Sequence, residues 1–551
     1  MAPKKKPTTT GARSISAHAG ATAASFTGLR VGVTVVIDAG GGTLKVGIAE
    51  DGVGSARVLA NAGAKTKGGG GHGTGAKTLF GAEIDEARDV NGMTMRRPVD
   101  RGYVVNWELE REVLAHAFRH ELGVDPSGCD LVITEPPFAL PSVMEKLDET
   151  VFEYFKFRRA CVATPAALVK RYADFVDEKS RGAKDLSVMS RSGVVVDCGF
   201  SFTHATTILD GKQVAKGIRR LNLGGKTLTN YLKELVSFRQ WNMMDESVVI
   251  EDVKEKACYV ADDALVELEK CKERRGGVVR REYVLPDGIH VLRGFVREEE
   301  AEQKENEESD DDDDDEDDED FGARGPKKRK KKVPVPKKPK VVKADEPDHQ
   351  VLTLVNERFM VPETLFNPSD IGAQQCGVCE LVAQAIDNED MEEAHQALCL
   401  LDVIVTGGCT QFANFMERFE RDLRPLLSET FGLRVRRASD PIRAALLGGM
   451  HLANDREFFE SNSITREEYA AKKADIREAH QNFEYQSTIT GRLTEYAAEP
   501  QTVDDKAMEK QCAALTPTLE RLAIPAAETS ARSPTYSSPW TTTHVGFPRS
   551  R

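Results

Sequence analysis

Two short stretches of the chain share one pattern, and that pattern constrains the fold more than any other feature. Each is a run of β-branched residues that ends in Asp, one further residue and Gly, at Val35–Gly40 and Val194–Gly199. Such runs favour buried strands, and a glycine directly after a strand favours a tight turn. Because each copy opens an alternation of strands and helices, the sequence predicts an α/β fold with an internal duplication.

A third apolar strand also ends in glycine. Val403–Thr406 is followed by Gly407, Gly408 and Cys409. Glycine lets the backbone approach an anion closely and direct consecutive N–H groups towards it. A single Asp-x-Gly turn is more often only a turn. Two Asp-x-Gly turns that each open an α/β repeat, followed by a Gly-Gly turn after a third strand, predict a nucleotide held in a cleft between two similar lobes.

The candidate ligand-binding residues come from these three turns and their strands. Asp38 and Asp197, near the strand ends, are placed to hold a hydrated divalent cation across phosphates. Lys45 is placed to reach a phosphate oxygen as a point charge. The other candidates in the turns are Gly40, Gly41, Gly42, Thr43, Gly199, Phe200, Ser201, Gly407, Gly408 and Cys409.

Hydrophobic spacing predicts the elements around the turns. Asp130–Thr134 has the length of a buried strand, and Pro286–Gly288 inside Tyr283–Phe295 is a hairpin signal. Apolar residues recur at helical spacing over Trp107–Leu122, Val143–Phe155, Lys226–Phe238 and Ser247–Ala261.

Charge is segregated along the chain. Lys and Arg total 75 and Asp and Glu total 89, so the net charge of −14 argues against a protein that coats nucleic acid with its whole surface. Glu302–Asp320 is almost wholly acidic and Arg324–Lys343 is strongly basic, and both are expected to be disordered. No run of residues is long and apolar enough for a membrane helix, so no membrane partner is expected.

The composition also sets expected domain boundaries. Residues 1–29 are expected to be a disordered basic tail, with a transit peptide as the alternative, and residues 471–551 a low-complexity C-terminal tail. The fold is expected over 30–470, interrupted by a disordered insertion at 298–348.

The ten cysteines are scattered, which suits a reducing compartment. Cys376 and Cys379 form a lone CxxC. Without a second pair, this spacing favours two small residues at a helix start over a zinc site.

The three turns resemble the two phosphate loops and the adenosine loop of the actin family. Similar strings lie at Asn106–Trp107, Thr134–Pro137, Val253–Asp262, Asn356–Phe359 and Pro362–Ser369. The resemblance runs from about Val31 to Tyr469, apart from the charged insertion. The alignment implies that the insertion falls between two strands of a hairpin in the smaller lobe, after Phe295 and before Val351, and a surface hairpin tip tolerates long insertions. It implies an actin-like two-lobe fold of duplicated ribonuclease-H-like domains, ATP as a structurally bound cofactor with Mg or Ca, and nucleotide-flanking roles for Lys254 and Glu255.

Further strings are similar to the actin-related protein 6 branch of this family. They lie at Glu83–Glu86, Arg97–Trp107, Gly199–His204 and Leu223–Asn230. This resemblance implies a nuclear subunit of a Swr-type chromatin remodeller, which exchanges a variant histone dimer into nucleosomes. The implied partners are the remodeller motor subunit, a small zinc-finger subunit, and nucleosomal histones and DNA through indirect or weak contact. The implied location is the nucleus, with an additional cytoplasmic pool of the protein as the alternative.

The chain departs from actin where hydrolysis takes place. The family's glutamine near the attacking water aligns with Pro165, and the acid of the second phosphate loop aligns with Phe200, while His204 is retained. Since hydrolysis needs a positioned water and complementary charge, we expect an ATP-holding scaffold that is not an enzyme. The alternatives are an active ATPase of the actin superfamily, cytoskeletal or chaperone-like, and a nuclear relative in a different chromatin complex.

The basic run contains a string that resembles a nuclear import signal: Lys327, Lys328, Arg329, Lys330, Lys331 and Lys332. A solvated basic run, or one that touches DNA phosphates, is the alternative. The acidic run resembles the tracts of histone-handling proteins, with solubilising disorder as its alternative. Gly68–Gly71 stand where actin has the mixed apolar loop that enters its neighbour, so filaments are not expected.

Overall fold

The computed structural model describes residues 26, 28–65, 78–87, 90, 91, 93–181, 191–272, 278–297, 349–389, 391–480, 492 and 493. Gly68–Gly71, the charged insertion with the import-signal candidate, and most of both tails lie outside these residues. None of the described helices has the length and apolar character that a bilayer-spanning segment needs.

Twenty strands are described. They are β1 (Thr34–Ala39), β2 (Thr43–Ile48), β3 (Arg57–Ala60), β4 (Gly63–Lys65), β5 (Thr78–Leu79), β6 (Thr94–Arg96), β7 (Val99–Asp100), β8 (Tyr103–Val104), β9 (Asp130–Thr134), β10 (Arg159–Ala163), β11 (Gly193–Cys198), β12 (Thr203–Leu209), β13 (Lys212–Leu221), β14 (Arg281–Val284), β15 (Phe295–Val296), β16 (Val351–Leu354), β17 (Val403–Thr406), β18 (Val435–Arg437), β19 (Ile464–Thr465) and β20 (Arg492–Leu493).

The described α-helices surround these strands. They are α1 (Ala82–Asp85), α2 (Trp107–His116), α3 (Pro141–Asp148), α4 (Pro165–Arg181), α5 (Gly225–Arg239), α6 (Ser247–Ala257), α7 (Ala264–Lys270), α8 (Glu357–Glu363), α9 (Val378–Ile386), α10 (Glu393–Leu400), α11 (Phe415–Leu423), α12 (Ala444–Asn454), α13 (Arg456–Ser461) and α14 (Arg466–His480). α2 and α3 continue as π-helical segments, Ala117–Leu122 and Glu149–Tyr154.

Two sheets repeat one strand order. The first runs β3–β2–β1–β9–β10 and the second runs β13–β12–β11–β17–β18, with β19 and β20 added beside β10 in the first. In both, the strand that carries Asp-x-Gly pairs antiparallel with the next strand and parallel with a later one. The internal duplication predicted from the sequence is confirmed, and β1 and β11 hold equivalent positions.

The central strands are buried on both faces. Every residue of β9 and β17 is buried, as expected for parallel strands that are covered on each side. Helix α12 packs against α4 and β1. This approach depends on Gly448, because a Cβ there would lie 2.0 Å from the carbonyl oxygen of Leu168. The two helices therefore form a close-packed layer beside the sheets.

A buried ion network joins α4 to the second sheet. Lys170 is fully buried, and its Nζ donates to Asp174 at 2.7 Å and to Asp402, just before β17, at 2.8 Å. Arg436 of β18 also donates to Asp402, at 2.6 Å. A buried cation is tolerated only when paired in this way, so the network fixes how α4 sits on the second sheet.

Several sequence-based boundaries need correction. The helix predicted over Ser247–Ala261 ends at Ala257, and α14 continues to His480, beyond the boundary set at 470. Cys376 and Cys379 do flank the start of α9, as expected.

The insertion does not lie within a two-stranded hairpin. β14 is the middle strand of a sheet in which β15 and β16 are the outer strands. The hairpin predicted over Tyr283–Phe295 is confirmed as β14 and β15, but the insertion joins the two outer strands, which do not pair with each other. β14 forms hydrogen bonds along both of its edges, and sequence spacing does not show which edge each of the other two strands joins.

Candidate functional site

The duplicated strand order brings the three glycine turns together. Asp38 lies near the end of β1, Asp197 near the end of β11, and Thr406 at the end of β17, where it is in register with Asp197. The carboxyl ends of parallel strands meet at one edge of a sheet, and ligands bind outside such edges. Both sheets present these ends to one cleft.

One cavity of about 450 Å³ contains all of the candidate residues. Its volume is in the range of small-molecule and cofactor sites. The predicted residues that line it are Asp38, Gly40, Gly41, Gly42, Thr43, Lys45, Asp197, Gly199, Phe200, Ser201, Lys254, Glu255, Gly407, Gly408 and Cys409. The structure thus places residues from four separate parts of the chain around a single space.

The first turn carries a fixed ion pair. Asp38 and Lys45 are cross-strand neighbours in β1 and β2, and Lys45 Nζ lies 3.1 Å from Asp38 Oδ2. Thr134, at the end of β9, donates from Oγ1 to Asp38 Oδ1 at 2.9 Å and accepts from the backbone N–H of Ala39. These bonds hold the carboxylate and the ammonium at the mouth of the first turn, where an anion and its cation would bind.

Asp197 has a different environment. Burial, and then the negative charge of Asp38, raise the pKa of the Asp197 carboxyl to about 6, although Lys45 acts in the opposite direction. The nearby negative charge of Asp38 disfavours the ionised form of the buried Asp197 carboxyl. A divalent cation between them would relieve this repulsion, and none of the described residues forms a direct three-ligand metal cluster instead.

His204 lines the same cavity. Burial, and then the positive charge of Arg220, lower the pKa of this imidazole to about 4, so it is neutral at physiological pH. Among the described residues its buried Nε2 has no hydrogen-bond partner. An unpartnered buried nitrogen is costly, and a water or ligand in the cavity would satisfy it.

The third turn requires glycine for a measurable reason. Gly407 has φ of +94°, and a Cβ there would lie 2.4 Å from the carbonyl oxygen of Cys198. Next to it, Cys409 Sγ lies 3.5 Å from the carbonyl oxygen of Gly199. The turns after β11 and β17 therefore touch each other and form one continuous wall of the cavity.

The two residues assigned from α6 behave differently. Lys254 is buried, and its Nζ donates to Thr229 Oγ1 of α5 at 2.9 Å. Glu255 is exposed as a whole residue at the cavity rim, but partial desolvation of its carboxyl group raises the pKa of that group. Lys254 thus already has a protein partner, whereas Glu255 is free to meet a ligand at the opening.

Pro165 and Phe200, aligned from the sequence with the hydrolytic positions of actin, also line the cavity. Pro165 is the first residue of α4, where a proline costs little because that N–H has no helical partner. The Phe200 ring lies against the first turn, since a Cβ at Gly42 would be 2.7 Å from it. Neither side chain can orient a water by hydrogen bonding.

The family model for actin matches residues 30–480 of this chain. The chain belongs to the actin family. It is 38% identical to an actin-related protein 6 of Oryza sativa subsp. indica, over 79% of this chain and 95% of that relative. Actin-related proteins 6 of Arabidopsis thaliana and Drosophila melanogaster are 36% and 34% identical, over 70% and 79% of this chain and 85% and 96% of theirs.

These similarities span most of each relative and place the chain in the actin-related protein 6 branch of the actin family. Both resemblances drawn from the strand turns and the shorter strings are confirmed. The actin-like α/β fold is confirmed as well. Actin-family membership makes a nucleotide the expected occupant of the cavity in general terms.

The residues present fit the phosphates of a nucleotide with a divalent cation. Lys45 and Lys254 are the lysines of the cavity, whereas its carboxylates are Asp38, Asp197, Glu251 and Glu255. An excess of acids would repel a bare triphosphate, so a cation must accompany it. Asp38 and Asp197 would hold that cation through water, Lys45 would meet a phosphate oxygen, and the glycine turns would admit the phosphates.

Sequence reasoning missed part of the cavity. Thr134 and Gln411 line it without having been assigned, as do Phe412, Pro441 and Ile442 at the end near the third turn. Thr134 could have been found, because a residue at the end of a strand beside β1 must reach the same edge. The apolar residues after the third turn carry no pattern that separates a ligand wall from a core.

Proposed function

We propose that this actin-family chain holds ATP without hydrolysing it and serves as a scaffold subunit of a nuclear chromatin remodeller that exchanges a variant histone into nucleosomes. The observation that carries the nucleotide part is that the three glycine turns line one cavity together with Pro165 and Phe200. Its non-catalytic character is supported by the alignment of these two residues with the hydrolytic positions of actin. The remodeller part is supported by the similarity to actin-related protein 6 and by the strings that distinguish that branch.

Bound nucleotide acts in this proposal as a structural ligand. The cavity is lined by both sheets, so a ligand there contacts both halves of the fold at once. Any ligand that binds only the folded chain stabilises it by mass action, by about 2.7 kcal/mol when its concentration is 100 times Kd. Slow or absent turnover keeps this stabilisation in place.

The nucleotide part is tested with purified full-length protein. We expect denaturation to release adenine nucleotide in near-stoichiometric amount, and phosphate release in ATP and magnesium to stay at the level of an Asp197→Asn control. The double variant Pro165→Gln, Phe200→Asp restores the family's residue types and should raise phosphate release. Brisk turnover by the natural chain, lost in Asp197→Asn, would contradict the proposal.

An active ATPase is the second candidate, and His204 is the observation that favours it. A neutral imidazole with an unpartnered Nε2 in the cavity is suited to orient a water by accepting a hydrogen bond from it. If the chain hydrolyses ATP, His204→Ala should abolish phosphate release while leaving nucleotide content unchanged. In the scaffold proposal the same variant changes neither quantity.

The partner and location parts are tested in cells. Affinity purification of the full chain from nuclear extract should recover a remodeller motor subunit, a small zinc-finger subunit and histones. Replacing Lys327–Lys332 by Ala residues should shift a fluorescent fusion towards the cytoplasm if this string is the import signal. Recovery of cytoskeletal or chaperone partners instead would favour the alternative function.

A further inference from the structure

Arg97 lies where the two phosphate-loop candidates meet. Its Nη1 donates to the carbonyl oxygen of Gly42 in the first turn at 2.5 Å. Its guanidinium carbon is 4.6 Å from the ring centroid of Phe200 in the second turn, and its Nη2 is 3.4 Å from Glu251 Oε2 of α6. One partly buried side chain from the first half of the fold therefore contacts both the first turn and two elements of the second half.

Phe200 is suited to the space between the two turns because its side chain has no polar group that would need a hydrogen bond to water. Its ring packs on Gly42 on one side and faces the Arg97 guanidinium, so the two turns are in direct contact. A cation over an aromatic face contributes about 0.5–1 kcal/mol when exposed and 2 or more when desolvated. Hydrogen bonds to charged groups contribute about 1.5–3 kcal/mol. Contacts of this size affect how easily a cleft opens.

Further contacts join the same two halves beside Arg97. In the β7–β8 hairpin, the Tyr103 ring meets the Phe202 ring edge-on at 6.2 Å between centroids, and its hydroxyl accepts from Arg220 at 2.9 Å. Lys226 Nζ lies 2.9 Å from Asp100 Oδ1. The exposed ion pair contributes little, but the aromatic contact adds to the closure.

We propose that Arg97, Phe200 and Glu251 form an interlobe clasp that keeps the cleft closed with or without nucleotide and slows nucleotide release. The effect on release rests on the proposed nucleotide binding, whereas the closure does not. All of the clasp contacts join residues of the chain itself, so none of them requires a bound nucleotide. A nucleotide that leaves by opening of the cleft must break them, and their free energy adds to the barrier for dissociation.

The release rate tests the clasp directly. Full-length protein is loaded with a fluorescent N-methylanthraniloyl ATP and chased with excess ATP. We expect Arg97→Gln and Phe200→Leu to release it about tenfold faster, the equivalent of about 1.4 kcal/mol. Arg97→Lys keeps the charge without the planar fork and should recover part of the slow release.

Arg111→Gln is the matched control. Arg111 also lies over an aromatic ring, Tyr154 at 4.8 Å, and donates to Thr150, but all three residues belong to the first half of the fold. This variant should leave the release rate unchanged. Equal acceleration in the control, or no acceleration in the two clasp variants, would overturn the proposed effect on release.

Closure is tested without nucleotide by hydrogen exchange. In nucleotide-free natural protein, amides of 38–45 and 197–204 should exchange nearly as slowly as in the loaded protein. In nucleotide-free Arg97→Gln they should exchange at least tenfold faster. Free exchange in the unloaded natural chain would overturn the clasp. If the chain binds no nucleotide but amides still exchange faster in Arg97→Gln than in the natural protein, the proposed nucleotide binding is refuted and the closure by the clasp is not.

Discussion

At the level of single residues, the cavity combines groups whose charges are fixed by different means. Lys45 and Asp38 neutralise each other at 3.1 Å, whereas the pKa of Asp197 is raised to about 6 by burial and by Asp38. Behind the first turn, Asn61 donates to the carbonyl oxygen of Gly40 at 3.0 Å. The buried Glu110 of α2 lies next to that asparagine, and burial raises its pKa to about 7, although the bond from Asn61 acts against this.

Replacement of Lys45 by Ala should remove the effect of ATP on stability. Lys45 is the lysine at the first turn, so the variant loses the point charge that meets the phosphates. We expect the rise in melting temperature on adding ATP and magnesium to be largely lost, while phosphate release changes little. Lys146→Ala removes an exposed ion pair with Glu149 and is the control. A full ATP-induced rise in Lys45→Ala would count against phosphate contact by Lys45.

Glu110→Gln should flatten one part of the pH dependence of stability. An acid whose pKa is higher in the folded than in the unfolded chain costs free energy once it ionises, so the free energy of unfolding of the natural protein falls as pH rises from about 4.5 to about 7. The variant has no carboxyl group to ionise at this position. The difference in free energy of unfolding between variant and natural protein should therefore increase in favour of the variant by about 3 kcal/mol across that range.

Denaturant unfolding at several pH values measures this difference. His204 and His451 have lowered pKa values, which destabilise the fold as pH falls below about 6.5. Their contribution is the same in both proteins, so it cancels when the free energy of unfolding of the natural protein is subtracted from that of the variant. Glu112→Gln, the same substitution at an exposed position on the same helix, is the control. Parallel pH profiles for Glu110→Gln and natural protein would contradict the prediction.

At the level of elements, the strand ends place the site and the outer strands tolerate the insertion. The length of β9 and its end at Thr134 could be predicted because the apolar run Leu131–Ile133 lies inside it and a Pro-Pro pair begins two residues after Thr134. The arrangement of β15 and β16 on either side of β14 could not, since it depends on which edge of β14 each strand meets. Because β15 and β16 pair with β14 and not with each other, the segment that connects them can be longer without the loss of any hydrogen bond between strands.

Deletion of Glu302–Lys343 should leave the melting temperature of the folded part within about 2 °C of the natural protein. The deleted residues lie between β15 and β16, and both strands keep their hydrogen bonds to β14. Loop entropy changes slowly with loop length, so a shorter connection costs or gains little. Calorimetry of the full and shortened chains measures this, and a loss of 10 °C would mean that the segment is docked on the fold.

At the level of the whole molecule, two equivalent sheets create one cleft and several contacts couple them. Lys170 ties α4 to the second sheet, Gly448 brings α12 close to α4, and Arg97 spans the two turns. Removal of one partner from a buried ion pair costs about 3–5 kcal/mol. The two halves are therefore held together by the protein itself, and nucleotide adds to that stability.

We expect the chain to stay monomeric under conditions in which actin-family filaments form. Gly68–Gly71 give a neighbour no side chains to hold, and ordering them would cost conformational entropy. Sedimentation of the purified protein with ATP and magnesium should leave it in the supernatant, with purified actin as the positive control. Pelleted polymer that depends on nucleotide would contradict the expectation.

The sequence by itself determined the duplication, the three glycine turns and the identity of the family, because strand runs and turn glycines are local patterns that survive without knowledge of contacts. It also pointed to Pro165 and Phe200. Tertiary structure alone decided that Arg97 reaches Phe200, that Asn61 links Glu110 to the first turn, and that Lys254 is already paired. These facts depend on which distant segments meet in space, and hydrophobic periodicity carries no information on the meeting of side chains from different elements.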